Sequence, residues 1–321
     1  MSGELVVKRP GSAGAVRALA AQGRAWRARL ANPSEQALAW LLLAPAALLL
    51  LLIVAYPVGR LVWSSLHDLR LSALDVAVPP FVGLRNFADL GSDPAFLDAL
   101  WNTAKMVLVT VPGALVAGLI LALLANIESG WRWLVRLALL LPWALPLSFT
   151  GLIGAWFFDY QHGLINDLLQ RFGGTPRLWL TDAWLAQVAV WVVMIWKSSS
   201  FIGLILLAGL QMIPQELHDA AALDGANRLQ RFRHITLPLL APSIMVALIF
   251  RTITALQTFD VPYSMTHGGP GSATLTLAMY IHTTTVEYLD VGYGAALALS
   301  LAGLSMLTTF VYLRFVLRES A

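Results

Sequence analysis

Cysteine is absent from this 321-residue chain, which excludes disulfides and thiolate metal sites. Charge is also scarce, since Asp, Glu, Lys and Arg make up 12% of the residues, about half the share usual in soluble domains. None of the few lysines stands in the GK[ST] pattern of a phosphate-binding loop. The hydrophobic share is 58% and the mean hydropathy is +0.71. We therefore expect a membrane protein that has no nucleotide site of its own.

Six apolar stretches are long enough to cross a bilayer, which requires about 20 residues of helix. This pattern predicts an all-α membrane protein with six transmembrane helices. The first stretch follows a basic head, as in a signal peptide, but its apolar core is too long for a cleaved segment, and we expect an anchor. No spacer suggests a second domain, so 38–321 is expected to form one transmembrane domain. The predicted spans are 38–59, 103–125, 134–156, 184–210, 243–259 and 294–317.

The distribution of basic residues predicts the orientation. With both termini inside, the inner segments contain thirteen of the 21 Lys and Arg residues, and the outer loops contain five. Because cytoplasmic loops retain Lys and Arg, both termini and the loop 211–240 are predicted to be cytoplasmic. The basic tail, residues 1–37, is expected to lie on membrane lipid or to remain solvated and fix the topology. The outer loops are then 60–100, 157–183 and 260–293.

Motifs of membrane-embedded enzymes are missing from the sequence. There is no HExxH zinc pair and no GxSxG elbow, and the predicted span cores contain no Asp or Glu. The six histidines never fall at metal-ligand spacing. A secondary transporter would need a buried carboxylate or a discontinuous helix for its coupling ion, and the sequence gives no sign of either. These absences disfavour an intramembrane enzyme and a secondary transporter, the alternatives from other functional classes.

The cytoplasmic loop contains the stretch DAAALDGANRLQRFRHITLPLL, residues 219–240. Residues 215–223 predict a short helix with a slim, alanine-rich surface. Asp224 and Gly225 predict a break, because Gly permits positive φ and Asp can cap the helix that follows. The second arm, 226–235, is predicted to be an amphipathic helix that ends at prolines before the next span, at Pro238 and Pro242. A basic amphipathic helix lying on anionic lipid is the alternative interpretation of this arm.

The same loop resembles the cytoplasmic EAA loop of ABC-importer permeases. The match consists of Asp219-Ala220-Ala221, Gly225 and Ile235-x-Leu237-Pro238, at the spacing of that motif. The one departure is Asp219, where the family has Glu. The resemblance implies a coupling helix that docks into a cleft of an ATPase subunit. The residues expected to serve this coupling are Asp219, Ala220, Ala221, Asp224, Gly225, Ala226, Leu229, Phe232, Arg233, Ile235, Leu237 and Pro238.

The resemblance extends beyond this loop. FVGLRNF (81–87) and WNTAKM (101–106) resemble the segment that leads into the second span of sugar permeases, and FDVPYSMTHGGPGSATLTLAMYI (259–281) resembles an external loop of maltose-type permeases. It implies the type I importer (MetI-like) permease fold in a bacterial inner membrane. The implied partners are a second homologous permease subunit, two ATP-binding subunits and an extracytoplasmic sugar-binding protein. ATP and Mg would belong to the ATP-binding subunits, with no cofactor in this chain and no nucleic acid.

Three basic residues lie inside predicted spans, where ionisable residues are costly and are functional candidates. Lys105 is near the outer end of its span, where its ammonium can reach the interface. Lys197 and Arg251 are near the middle of theirs. Each belongs to a polar stripe with helical spacing. The residues expected to contact a substrate are Met194, Lys197, Ser198 and Phe201 on the fourth span, and Arg251, Thr254, Ala255 and Thr258 on the fifth.

These two stripes would suit a sugar, because hydroxyl groups take hydrogen bonds and the apolar face of a sugar ring packs on an aromatic side chain. In register with the EAA loop, the positions match the two helix faces that hold the sugar in the maltose permease. A di- or oligosaccharide is the expected substrate. Two alternatives stand beside it. The polar groups could bond across helices only, or the two cations could serve an anionic solute such as a sugar phosphate.

Overall fold

A computed structural model describes residues 35–71, 78–127 and 130–319. Within these ranges the chain is helical and has no β-strand beyond two isolated bridges, which confirms the predicted all-α class. Most of the basic tail 1–37 lies outside the described residues. The helices are α1 Glu35–Leu50, α2 Tyr56–Ser65, α3 Arg85–Leu90, α4 Pro94–Asn126, α5 Arg132–Ala144, α6 Leu147–Phe157, α7 Leu164–Arg171, α8 Ala183–Gln211, α9 Gln215–Leu223, α10 Arg228–Arg231, α11 Leu237–Leu256, α12 Asp260–Thr266, α13 Leu277–His282 and α14 Val291–Glu319, with π-helical turns at Leu51–Ala55, Phe232–Thr236 and Thr283–Glu287.

The chain divides into two compact units, Met1–Arg60 and Leu61–Ala321. In the first unit, the side chains of residues 38–60 are all exposed, including Trp40 and Ile53. Such a continuous apolar surface is suited to lipid and not to water. The second unit contains the packed core and the candidate site.

Five of the predicted spans correspond to continuous helices that are long and apolar enough to cross a membrane. They are Leu38–Ser65, Pro94–Asn126, Ala183–Gln211, Arg228–Leu256 and Val291–Tyr312. The remaining predicted span, 134–156, is the third along the chain, and it is broken into two helices. Its halves are α5 and α6, which meet at 103°.

Proline explains the break between α5 and α6. Leu145 precedes Pro146, and its backbone is extended, with φ −71° and ψ 138°. A residue before proline avoids the helical region, because the proline ring clashes with its backbone and β-carbon. Pro146 also has no N–H for the carbonyl of Pro142, one turn earlier. The prediction of a continuous third span was therefore wrong, and so was the expectation of no discontinuous helix.

The fifth span begins earlier than predicted, because the second arm of the loop 211–240 continues into it. α10 is followed directly by the π-helical turn Phe232–Thr236 and then by α11. Pro238 does not end the arm, since it stands in the first turn of α11, where its missing N–H costs little. Pro242 lies within the same helix.

The centre of the second unit is the crossing of α4 and α8, which pack against each other more extensively than any other pair of helices described. Small residues allow the two backbones to meet. A β-carbon at Gly118 would lie 2.9 Å from the carbonyl oxygen of Ser199 and 3.0 Å from the backbone nitrogen of Gly203. Close backbone approach through small residues is the usual basis of helix packing in membranes. α5 and α11 pack on this pair and complete an apolar core with Ile202 and Leu240.

The segment between α11 and α14 is bound to α4 by hydrogen bonds. The side-chain amide of Asn102 donates to the carbonyl oxygens of Ser272 at 2.6 Å and Leu275 at 3.1 Å. The hydroxyl of Thr103 accepts a hydrogen bond from the backbone N–H of Leu277 at 2.9 Å. The glycine-rich turn at 268–271 is thus held against the start of the second span.

The carboxylate of Asp93 also stabilises the contact between the start of α4 and the segment that follows α11. The hydroxyls of Tyr280 and Tyr293 donate to Asp93 Oδ2 at 2.5 and 2.6 Å. Burial raises the pKa of Asp93, but these hydroxyls and the N–H groups of Ala95 and Phe96 together lower it below its usual value. The ionised carboxylate therefore stabilises this contact at neutral pH. Its contribution to the free energy of unfolding is lost as the pH falls through the lowered pKa.

Candidate functional site

A cavity of about 510 Å³ opens beside the break between α5 and α6. Three other elements complete its wall: α8, the second half of α11, and the turn into α12. Its volume lies within the range of about 300–1,000 Å³ that is usual for small-molecule sites. The lining residues are Trp143, Leu145, Pro146, Leu147, Met194, Lys197, Ser198, Phe201, Arg251, Thr254, Gln257, Thr258, Phe259, Asp260 and Val261.

The cavity brings together seven of the eight residues that the sequence proposed as substrate contacts. Ala255 is the exception, because it is fully buried among the packed helices and does not reach the cavity. The seven that line the cavity are Met194, Lys197, Ser198, Phe201, Arg251, Thr254 and Thr258. The two polar stripes therefore face one common space.

Lys197 supplies hydrogen-bond donors to the backbone carbonyl groups at the C-terminal end of α5. Its ammonium donates to the carbonyl oxygens of Pro142 at 2.5 Å and Trp143 at 3.0 Å, and also to that of Leu145. These carbonyls belong to the C-terminal end of α5, which has no following turn to supply N–H donors because of Pro146. A cation at a helix C-terminus also interacts favourably with the helix dipole. Lys197 is thus bound to backbone, and only 8% of its surface is exposed.

Arg251 differs from Lys197 in having few partners. It is 4% exposed, and its Nη2 donates to the hydroxyl of Thr110 at 2.6 Å. Its Nε is buried and has no hydrogen-bond partner in the described part of the chain. Among those same residues, no carboxylate lies within ion-pair distance of its guanidinium. In the described part of the chain, the cavity therefore borders a buried cation that forms no ion pair.

Aromatic and hydroxyl groups form the rest of the wall. Phe201 is half-buried and meets Phe250 edge to face, with ring centroids 6.4 Å apart. The hydroxyl of Thr254 donates to the carbonyl oxygen of Arg251 at 3.0 Å, and that of Thr258 donates to the carbonyl oxygen of Thr254 at 3.1 Å. Because each hydroxyl proton is already used, both oxygens are available to accept hydrogen bonds from a ligand.

Sequence reasoning missed the part of the wall that comes from the break and from the turn into α12. Trp143 and Phe259 add aromatic surface, and Asp260 adds a carboxylate that accepts a hydrogen bond from Ser148 at 3.1 Å. The motif Leu145-Pro146 was the available signal, since a proline in the middle of a predicted span commonly marks a break.

The loop 211–240 forms a two-armed element, as predicted. The first arm, α9, has the predicted bounds and no buried residue. Gly225 has φ +83°, which confirms the predicted break. The predicted cap at Asp224 is wrong, because Asn227 caps α10. The side chain of Asn227 accepts a hydrogen bond from the backbone N–H of Gln230 at 2.9 Å, and the side chain of Gln230 accepts one from the backbone N–H of Asn227. This reciprocal arrangement is the capping box, and Asp224 instead follows α9.

The residues proposed for coupling lie along this element. Large apolar side chains are exposed there, with Leu223 at 91% and Leu229 at 72%. Phe232 is half-buried in the π-helical turn. A shallow depression separates the two arms and is lined by Ala221, Asp224, Gly225, Ala226, Gln230, Arg231, His234 and Ile235. Asp219, Ala220, Arg233, Leu237 and Pro238 are exposed around it.

Known proteins similar to this chain are membrane transport components. A family model described as "Binding-protein-dependent transport system inner membrane component" matches residues 114–320. The sulfoquinovosyl glycerol transport system permease protein SmoG of Agrobacterium fabrum is 56% identical over 88% of this chain and 91% of its own length. The trehalose/maltose transport system permease protein MalF of Thermococcus litoralis is 36% identical over 87% of this chain and 94% of its own.

A solved structure shares the fold. It is a bacterial ABC transporter involved in the import of the acidic polysaccharide alginate, with a TM-score of 0.78. The alignment covers 93% of this chain and 100% of that one, at 21% sequence identity. The likeness supports the predicted importer-permease fold.

Proposed function

The chain belongs to the family of binding-protein-dependent transport system inner membrane components, and from this membership we propose that it imports a glycoside through the cavity beside the α5–α6 break. It is a transporter subunit and not an enzyme. The relatives named above transport glycosides, namely sulfoquinovosyl glycerol and trehalose or maltose. The observation that supports this proposal most is the convergence of Phe201, Thr254 and Thr258 on one cavity.

Energy for transport comes from other chains in this proposal. The sequence has no GK[ST] phosphate loop. One of two ATP-binding subunits that hold ATP and Mg would dock on the two-armed loop of this chain, where Leu223 and Leu229 offer exposed apolar anchors. A second homologous permease subunit would complete the path, and an extracytoplasmic binding protein would deliver the glycoside. ATP-driven movement of the loop then favours one of two orientations of the helices.

The cavity proposal predicts that Phe201→Ala lowers glycoside uptake. Losing the packing of a sugar ring against an aromatic side chain costs about 1–3 kcal/mol, so uptake at sub-saturating glycoside should fall by about 5- to 150-fold. The measurement is ATP-dependent uptake of radiolabelled glycoside by the assembled complex in proteoliposomes. Phe172→Ala is the matched control, because Phe172 is 87% exposed at the end of α7. If Phe201→Ala assembles and transports like the parent, the glycoside is bound elsewhere.

Cytoplasmic placement of the loop 211–240 and of both termini belongs to the same proposal, and cysteine labelling tests it. The native chain has no cysteine to interfere. Thr175 and Asn227 are exposed, on the predicted outer and inner sides respectively. We expect Thr175→Cys to react with an impermeant maleimide in intact spheroplasts, and Asn227→Cys to react only after the membrane is opened. The opposite pattern would reverse the orientation and separate the loop from ATP.

A further inference from the structure

Arg251 is a buried cation at the wall of the cavity that has few hydrogen-bond partners. This side chain is 4% exposed, borders the cavity, and bonds through Nη2 to Thr110. Its Nε has no partner among the described residues. A charge in the apolar part of a membrane protein is costly unless it is paired or hydrogen-bonded. An arginine with one hydroxyl partner at the wall of an open cavity is therefore a candidate site for an anion that arrives with the ligand.

Lys197, the second cation at the cavity, is not available for this role. Its ammonium is occupied by the three carbonyl groups that end α5. An ammonium has three N–H donors, so these bonds use its full capacity. The two cations therefore have different roles. Lys197 binds the backbone at the helix break, and Arg251 remains open to a ligand.

The other side of the break adds positive potential. α6 has eleven residues and begins at Leu147, and no side chain caps its first N–H groups. Both Pro146 and Leu147 line the cavity. The unsatisfied N–H groups at a helix N-terminus carry a partial positive charge and favour anions. Because Lys197 donates to the C-terminal end of α5, the helix end at the break that has no side-chain cap among the described residues is the positive end, the start of α6.

Asp260 is the carboxylate among the lining residues, and it opposes an anion in its own part of the cavity. It lies in the first turn of α12 and accepts a hydrogen bond from Ser148. An anionic ligand group would therefore avoid the wall at Asp260 and bind at the wall formed by Arg251. The cavity can in this way orient a ligand that is charged at one end and neutral at the other.

We propose that the glycoside carries an anionic group, such as a sulfonate, carboxylate or phosphate ester, and that Arg251 binds this group. The proposal rests on the glycoside function proposed above. In this arrangement the guanidinium donates to the oxyanion, the apolar face of the sugar packs on Phe201, and Thr254 and Thr258 accept hydrogen bonds from sugar hydroxyls. Arg251 then selects charged glycosides over neutral ones.

The test compares two probes that differ only at carbon 6 of the sugar: glucosylglycerol and its 6-deoxy-6-sulfo analogue. Isothermal titration of each probe into the purified complex, without the external binding protein, reports the selectivity of the membrane subunits alone. We expect the sulfonated probe to bind about 10- to 100-fold more tightly, as charge-assisted hydrogen bonds allow. Arg251→Gln should abolish this preference, and Arg251→Lys should keep part of it because the charge remains.

Arg171→Gln is the matched control, since Arg171 is an exposed arginine paired with Asp167 on α7. It should retain the full preference. Equal binding of the two probes by the parent complex, or a preference that survives Arg251→Gln in an assembled complex, would overturn the anion proposal and leave the glycoside function standing. Binding of neither probe would refute the glycoside site in this cavity, and the anion proposal with it.

Discussion

Replacing Lys197 with methionine is expected to lower the apparent melting temperature of the detergent-solubilised complex by about 5–15 °C. The ammonium is bound to three carbonyl oxygens at the end of α5 and is almost fully buried. Hydrogen bonds that involve a charged group contribute about 1.5–3 kcal/mol each, and the carbonyls would be left without donors. Since the bonds share one ammonium, we expect a combined loss of about 2–5 kcal/mol, which corresponds to the stated shift in melting temperature.

Lys105→Met is the control for this experiment. Lys105 is also a lysine within a span, but it makes one hydrogen bond, to the side-chain oxygen of Gln187 at 3.2 Å, and it is only half-buried. The same substitution should therefore change the melting temperature by no more than about 2–4 °C. If Lys197→Met melts like the parent, the α5–α6 break is held by other contacts and Lys197 is free to bind a ligand.

Replacing Gly225 with valine is expected to reduce ATP-dependent uptake at least about tenfold without affecting membrane insertion. Gly225 has φ +83°, and nothing lies within 4 Å of the position of a β-carbon. The substitution therefore causes no collision, and its whole effect comes from the backbone. A left-handed conformation costs an ordinary residue about 1–2 kcal/mol and a β-branched residue more. The turn between the two arms should change shape, and the surface offered to the ATP-binding subunit should change with it.

Gly173→Val places the same residue at φ +79° in an equally open position, after α7 on the proposed outer side. It has the same backbone strain without touching the coupling loop, so uptake should stay near the parental rate. The measurement is uptake and ATP hydrolysis in one proteoliposome preparation, with subunit composition checked by gel. Parental uptake and hydrolysis in Gly225→Val would show that the loop does not need this turn for coupling.

Helical periodicity made much of the candidate cavity predictable. Lys197 and Phe201 are four residues apart on one helix, and Arg251 and Thr254 are three apart on another, so each pair had to share a face. Ala255 was misplaced: it is four residues from Arg251 and shares its buried side of the helix, but it is fully buried and does not line the cavity. Periodicity within a helix thus identified which faces are polar, and the fold brought the two faces together.

The helix break could not be predicted from hydropathy. The residues on both sides of Pro146 are as apolar as a continuous span, so composition alone does not distinguish one helix from two at 103°. The partners of Lys197 were equally hidden, since they are backbone carbonyls more than fifty residues earlier in the chain. Backbone groups leave no residue-specific signal in a sequence, and their partners emerge only from the fold.

In the loop 211–240, the sequence predicted α9 and the break at Gly225 because both depend on local chemistry. It did not predict that the second arm continues into α11. Pro238 and Pro242 suggested an end, but the π-helical turn Phe232–Thr236 lets the helix pass. This continuity means that a force on the arm acts on the same helical segment that bears Arg251 and Thr254, which links the proposed coupling surface to the cavity mechanically.

The most direct test of this account is a cryo-EM map of the assembled complex, held loaded with glycoside by an inactivating substitution in the ATP-binding subunit. We expect density for one glycoside in the cavity, within about 4 Å of Phe201 and Thr254, with its anionic group against Arg251. Glycoside density surrounded entirely by the second permease subunit, with this cavity empty, would contradict it.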